Sequence, residues 1–195
     1  MSPFQMWFQM GLEHILNVSA YDHILYLLVL CLAFPIRYWK VLLLLITAFT
    51  LGHSLSLAAT TLLKIRIHRD FTEFLIALTV LIAAIYEIQT RKKKPESVRL
   101  QFYAMNILFG LIHGIGFSYS LGQLLGAEKS VFLPLLYFNL GIEGGQLIIV
   151  LLIAVISLFL SRLPQKHSST FKLICLCIIA LLALKISSER FPLVF

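Results

Sequence analysis

The chain has 195 residues, of which 59% are apolar and 13% charged, with a mean hydropathy of +0.92 and a net charge of +7. Soluble domains carry about 45–50% apolar and about 25% charged residues, so this composition excludes an ordinary soluble protein and points to an integral membrane protein. The basic excess sits between long apolar stretches, where cytoplasmic loops place it, and nucleic acid is set aside as a partner.

The N-terminal stretch up to Asn17 has no Lys or Arg, and Glu13 and His14 interrupt its apolar run, so it reads as mature protein rather than as a signal peptide. It carries Phe4, Met6, Trp7, Phe8, Met10 and Leu12 and is expected to form an interfacial or re-entrant helix with an aromatic anchor. Met6 and Met10 are read as part of that apolar stripe rather than as a Cu(I) site. Cutting the rest at charged and Pro/Ser-rich clusters leaves six apolar segments, 20–35, 41–63, 70–90, 100–126, 130–160 and 171–188. The first is short and ends at Pro35, so the N-terminal helix is expected to complete it. The fifth is longer than a span needs, and Pro134 suggests that its first turns are a separate entry. The expected architecture is therefore all-α: one transmembrane domain over 1–195 with about six spans and a short N-terminal helix. Cys31, Cys175 and Cys177 all lie inside apolar runs and form no disulfide framework.

Lys and Arg number ten on one side of six spans and six on the other. That bias puts both termini outside and the loop containing Arg91, Lys92, Lys93 and Lys94 in the cytoplasm, as expected for a bacterial inner-membrane protein.

Ionisable side chains are costly in hydrocarbon, so each one within a span is a candidate for function. His53, His113 and Glu143 fall mid-span, Asp22 and His23 open the first span, Asp70 and Glu73 open the third, and Glu13 and His14 precede the first. Residues three, four and seven apart share a helix face. Asn139, Glu143 and Gln146 thus form one polar stripe and Asn106, Gly110, His113 and Phe117 another, while Thr47, Thr50 and Ser54 flank His53. The pairs Gly52/Ser56 and Gly110/Gly114 have the small-xxx-small spacing that lets helices close on one another. His68 and His167 read as loop residues, and Asp70 as a helix cap. Taken singly, each buried polar residue is as readily a structural hydrogen-bonding group as a functional one. Glycine-flanked ionisable groups on three helices favour function.

Imidazole with carboxylate suits Ni, Co, Zn or Cu(II). Three or four ligands from His14, Asp22, His23, His53, His113 and Glu143 would hold such an ion, either in passage across the membrane or as a fixed centre that activates water.

The motifs His14-Ile15 with Asp22-His23-Ile24-Leu25-Tyr26, F-T-L-G-H-S-L-S-L at 49–57, E-F-L-I-A-L-T at 73–79, H-G-I-G-F-S at 113–118 and F-N-L-G-I-E-G-G-Q at 138–146 resemble the HupE/UreJ family. That family is associated with hydrogenase and urease operons and is regarded as nickel or cobalt permeases. The resemblance implies a transition-metal site at or beside His14, Asp22, His23, His53, Glu73, His113 and Glu143, with Asn139 and Gln146 supporting it. The glycine that commonly precedes the Asp-His pair is Tyr21 here.

The leading expectation is a divalent-cation permease. The alternative is a zinc-type intramembrane hydrolase or acyl transferase acting on lipid or lipid-linked substrate, using Ser54, Glu143 and His113, with Ser118 near His113 as a second candidate serine. A third possibility is an accessory subunit in which polar residues only join helices. Expected partners are the metal ion and membrane lipid, with a homo-oligomer or accessory subunits possible. The chain has no G-x-x-x-x-G-K motif for ATP.

Overall fold

The structure is a computed structural model, described here for residues 2–18, 21–65, 67–90, 100–125, 130–160 and 165–194. Among the described residues seven α-helices follow one another: α1 Pro3–Leu16, α2 Tyr21–Ala33, α3 Trp39–Leu62, α4 Arg69–Thr90, α5 Leu100–Leu125, α6 Phe132–Leu160 and α7 Gln165–Arg190. Short 3-10 turns precede α3 and follow α7, and no strand occurs among the described residues.

Local chemistry sets the ends. Ser2 and Gln5 form a capping box at α1, with Gln5 N–H donating to Ser2 Oγ at 3.2 Å and Ser2 N–H to Gln5 Oε1 at 3.0 Å. Pro3 takes the first helical position, where a missing N–H costs nothing. Pro35 follows α2 and cannot continue it. After α3, Lys64 adopts a φ of 52° and Ile65 N–H returns to Thr60 O at 3.0 Å, closing the helix in a left-handed cap.

By length and hydropathy α3, α4, α6 and α7 can each cross a membrane, and α1 with α2, bent by 71°, can together form one more span. By length and hydropathy the pair is either one broken span or a re-entrant loop. Pro134 does not divide the fifth segment: α6 runs unbroken from Phe132, because a proline in the first turn removes no intrahelical bond. The loop residues 91–94, on which the expected orientation leans most, lie outside the described residues.

The bundle is built of three helix pairs, α3 on α5, α1 on α6 and α4 on α7. The first two are closed by glycines. A Cβ on Gly52 would lie 2.1 Å from Ile107 O, and one on Gly110 2.0 Å from Phe49 O, so the two backbones touch where any larger residue would separate them. Gly11 and Gly141 do the same for α1 and α6, against Phe138 O and Phe8 O at 2.0 and 2.1 Å. The third pair is clipped by charge instead. Arg190 binds Asp70 and Glu73 at one end, and Lys172 Nζ meets Glu87 Oε1 at 2.6 Å at the other, so α4 and α7 are antiparallel. The faces turned away from these contacts carry exposed Leu51, Leu55, Leu151, Leu152, Ile178 and Leu181, the surface a lipid phase requires.

Candidate metal centre

Four helices deliver one histidine each to the same interior point. His14 is in the last turn of α1, His23 in the first turn of α2, His53 in the middle of α3 and His113 in the middle of α5. The His14 ring centroid lies 5.1 Å from that of His23 and 6.0 Å from that of His53. His23 lies 6.2 Å from His53 and 5.2 Å from His113. The glycine contacts bring the last two rings to the same level, since Gly110 packs against Phe49 and His53 while Gly114 packs against His53 and Ser56.

His23, His53 and His113 are buried to between 0% and 4% exposure. Inside a bundle every polar nitrogen is expected to have a partner. Here five ring nitrogens have none: Nε2 of His14, His23 and His113, and both nitrogens of His53. Two Nδ1 atoms are committed. His23 Nδ1 lies 3.1 Å from Asp22 Oδ1, and His113 Nδ1 lies 2.7 Å from Phe109 O. A carbonyl and a carboxylate only accept, so both rings carry a proton on Nδ1, and their Nε2 atoms have no protein partner.

Aromatic rings enclose the group. Phe117 stands over His14 at 4.1 Å and stacks on Phe138, and Phe49 packs against His113 at 5.0 Å. On the open side is a cavity of about 260 Å³. Its floor includes His14, Asp22, His23 and His113, its walls are apolar side chains of α4 and α7, and Arg69 and Glu73 lie at the α4 N-terminal end.

Among the described residues no three His, Cys, Asp or Glu side chains already stand at ion-holding distance. The four rings are nevertheless close to what an ion needs. Imidazoles bound tetrahedrally through bonds of about 2.0–2.1 Å have ring centroids ~5 Å apart, against 5.1–6.2 Å for the four contacting pairs here, so the side chains must shift to form a ligand shell. The unpaired nitrogens and the all-nitrogen donor set both fit a divalent transition metal.

The other expected site residues are placed elsewhere. Glu73 reaches the cavity, but its two oxygens meet Arg69 Nε at 2.6 Å and Arg190 Nη2 at 2.5 Å. Asp70 is ion-paired with Arg190 at 3.1 Å, and His68 is exposed beside it. Glu143 is not with the histidines: it accepts from Thr47 Oγ1 at 2.7 Å in the seam between α3 and α6, where Gln146 also accepts from Thr50 Oγ1 at 2.8 Å. Asn139 Nδ2 donates to Leu135 O at 2.7 Å, and its Oδ1 is buried without a partner. Ser54 and Ser118 each donate to the backbone of their own helix, at Thr50 O and Ile115 O.

Arg190 was legible only as a topology charge; nothing near it in sequence announces a partner 120 positions away. Tyr26, whose hydroxyl donates to Asn106 one turn below the histidines, is another contact that no periodicity finds.

A family model described as HupE / UreJ protein matches residues 1–190. The chain belongs to the HupE/UreJ family. Neither the curated proteins nor the solved structures include a match to it. With the family and its apolar helices together, this HupE/UreJ chain is a multi-pass α-helical membrane protein.

Proposed function

We propose that this HupE/UreJ protein is a permease for a divalent transition-metal cation of the nickel or cobalt type. The observation that carries the reading is the convergence of His14, His23, His53 and His113, whose five unpaired buried nitrogens have no structural use and are costly to maintain. Neutral imidazoles replace the water of a borderline cation without trapping it as thiolates would, and Asp22 offsets part of its charge. The cation enters through the cavity beside Glu73, and the α3–α6 seam supplies the next oxygen ligands, Gln146 and Glu143. The ion is cargo here, and the lipid around the exposed helix faces is the other partner. Any homo-oligomer or accessory subunit packs on those faces. The bacterial inner membrane, with the termini outside, is the location that the loop charges favour.

The competing reading, a zinc-type hydrolase or acyl transferase, draws on the apolar walls of the cavity. Its nucleophile has less support, because Ser54 and Ser118 are both turned to their own helix backbone.

The test is nickel and cobalt accumulation in cells producing the chain, with His53→Ala and His113→Ala compared at equal amounts of membrane-inserted protein. Loss of accumulation in both variants is the expected result. Uptake equal to that of the unsubstituted chain overturns the permease.

A further inference from the structure

Asp22 and His23 are neighbours in the first turn of α2, and successive residues on a helix point about 100° apart. If the His23 ring faces the other three histidines, the Asp22 side chain starts out aimed away from them. It then folds back onto the ring's outer nitrogen, with Oδ1 3.1 Å from Nδ1. The opposite nitrogen, Nε2, is buried among the imidazoles with no partner. His113 is arranged in the same way by Phe109 O at 2.7 Å, again at Nδ1 and again with a bare Nε2.

The geometry points to Asp22 as a positioning residue of the centre and not a ligand: it fixes the tautomer and direction of His23 so that Nε2 faces the ion. This deepens the four-histidine reading above and rests on it. A carboxylate can only accept, so it excludes the tautomer that would put a proton, and no lone pair, on the inward nitrogen. A free imidazole holds both tautomers and turns about its bonds, and removing such an outer partner weakens metal affinity by about 10- to 100-fold. His53, with neither nitrogen held, has no such device, so the four ligands are not equivalent. His23 and His113 form the half of the shell whose rings are held from outside, and the ring of His53 is oriented by packing alone.

The experiment uses the full chain purified in detergent, with ring-¹⁵N-labelled histidine, as the wild type and as Asp22→Asn, Asp22→Ala and His23→Gln, each checked for a folded elution profile. Without metal, the nitrogen shifts should show His23 protonated at Nδ1 and bare at Nε2. That result is independent of whether any ion binds, and a His23 ring protonated at Nε2 overturns the assignment. Co(II) is then titrated while its visible absorption is recorded. Affinity should fall about 10- to 100-fold in Asp22→Ala and less in Asp22→Asn, whose amide oxygen can still accept. The band shape at saturation should be that of the wild type, because the ligand set is unchanged. Equal losses in Asn and Ala with an altered band would make Asp22 a ligand, and an unchanged affinity in Ala would leave it no role. Should Asp22→Ala not fold, Asp22→Asn and the wild-type nitrogen shifts decide the matter. A wild type that takes up no Co(II), Ni(II) or Zn(II) while showing the expected tautomer instead sinks the metal reading.

Discussion

Tyr26 and Asn106 join α2 to α5 by a buried hydroxyl-to-amide hydrogen bond, one to two turns below the contact between His23 and His113. The amide is held from its other side as well, because Asn106 Nδ2 donates to Phe102 O at 2.7 Å. With its carbonyl facing the tyrosine and its amino group facing the helix, this side chain has one orientation, and so does the ring above it. The pair therefore sets the depth at which α2 meets α5, and with it the spacing of two of the four histidines.

Tyr26→Phe keeps the ring but removes the donor. Asn106 Oδ1 is then left buried and unpaired, which costs about 1–3 kcal/mol. Thermal unfolding in detergent should show the loss, and Tyr26→Phe/Asn106→Leu should recover part of it, since removing both polar groups leaves neither unsatisfied. If the double substitution is as unstable as the sum of the two single ones, the bond has no such role.

Glycine positions separate close backbone approach from mere helix weakening. A Cβ on Gly110 would meet Phe49 O at 2.0 Å and His53 N at 2.9 Å, backbone atoms that cannot turn aside, so Gly110→Ala should push α3 from α5 and destabilise by about 1–3 kcal/mol. At Gly144 the nearest atoms are the tips of Phe8 and Leu12 at 3.6 and 3.8 Å. Gly144→Ala should therefore be neutral or stabilise by up to about 1 kcal/mol through helix propensity. Unfolding of the two variants side by side checks the contrast. Equal effects would show that the α3–α5 seam relaxes freely.

Much of this was legible in the sequence. Hydropathy located the helices, because a bilayer demands long apolar runs, and the rarity of charge within them picked out His53, His113 and Glu143 mid-span, with Asp22 and His23 at the start of the first. The small-residue spacing at Gly52 and Gly110 marks two faces that can pack closely, and the structure puts them against each other in the α3–α5 seam. Helix periodicity reports only which residues share a face, not which face meets which helix. It therefore could not separate Glu143, bonded to Thr47, from the histidines, nor say that Glu73 is held by two guanidiniums. Gly11 carries no such spacing, since the residues four positions away are Trp7 and Ile15, and its contact with Phe138 O shows only in the fold.

Arg190 closes the α4–α7 pair at the cavity end, bridging Asp70 and Glu73, and Lys172 closes it at the other end on Glu87. These groups are partly shielded, with side-chain exposures of 34% for Arg190 and 26% for both carboxylates, so the loss in Arg190→Ala should fall between the ~0–1 kcal/mol of surface pairs and the ~3–5 kcal/mol of fully buried ones. Removing the arginine also leaves two carboxylates a turn apart, with Arg69 on Glu73 and an exposed His68 beside Asp70. Arg190→Lys should retain less than half of the stability, because an ammonium cannot reach both partners in the fork geometry. Lys172 and Arg190 are 18 positions apart on one helix, about 27 Å, so Lys172→Ala should add to Arg190→Ala rather than mask it. Unfolding of both single variants and the double variant checks this. A double-variant loss no greater than either single one would mean that the two clips hold a unit that opens all at once, rather than two independent ends.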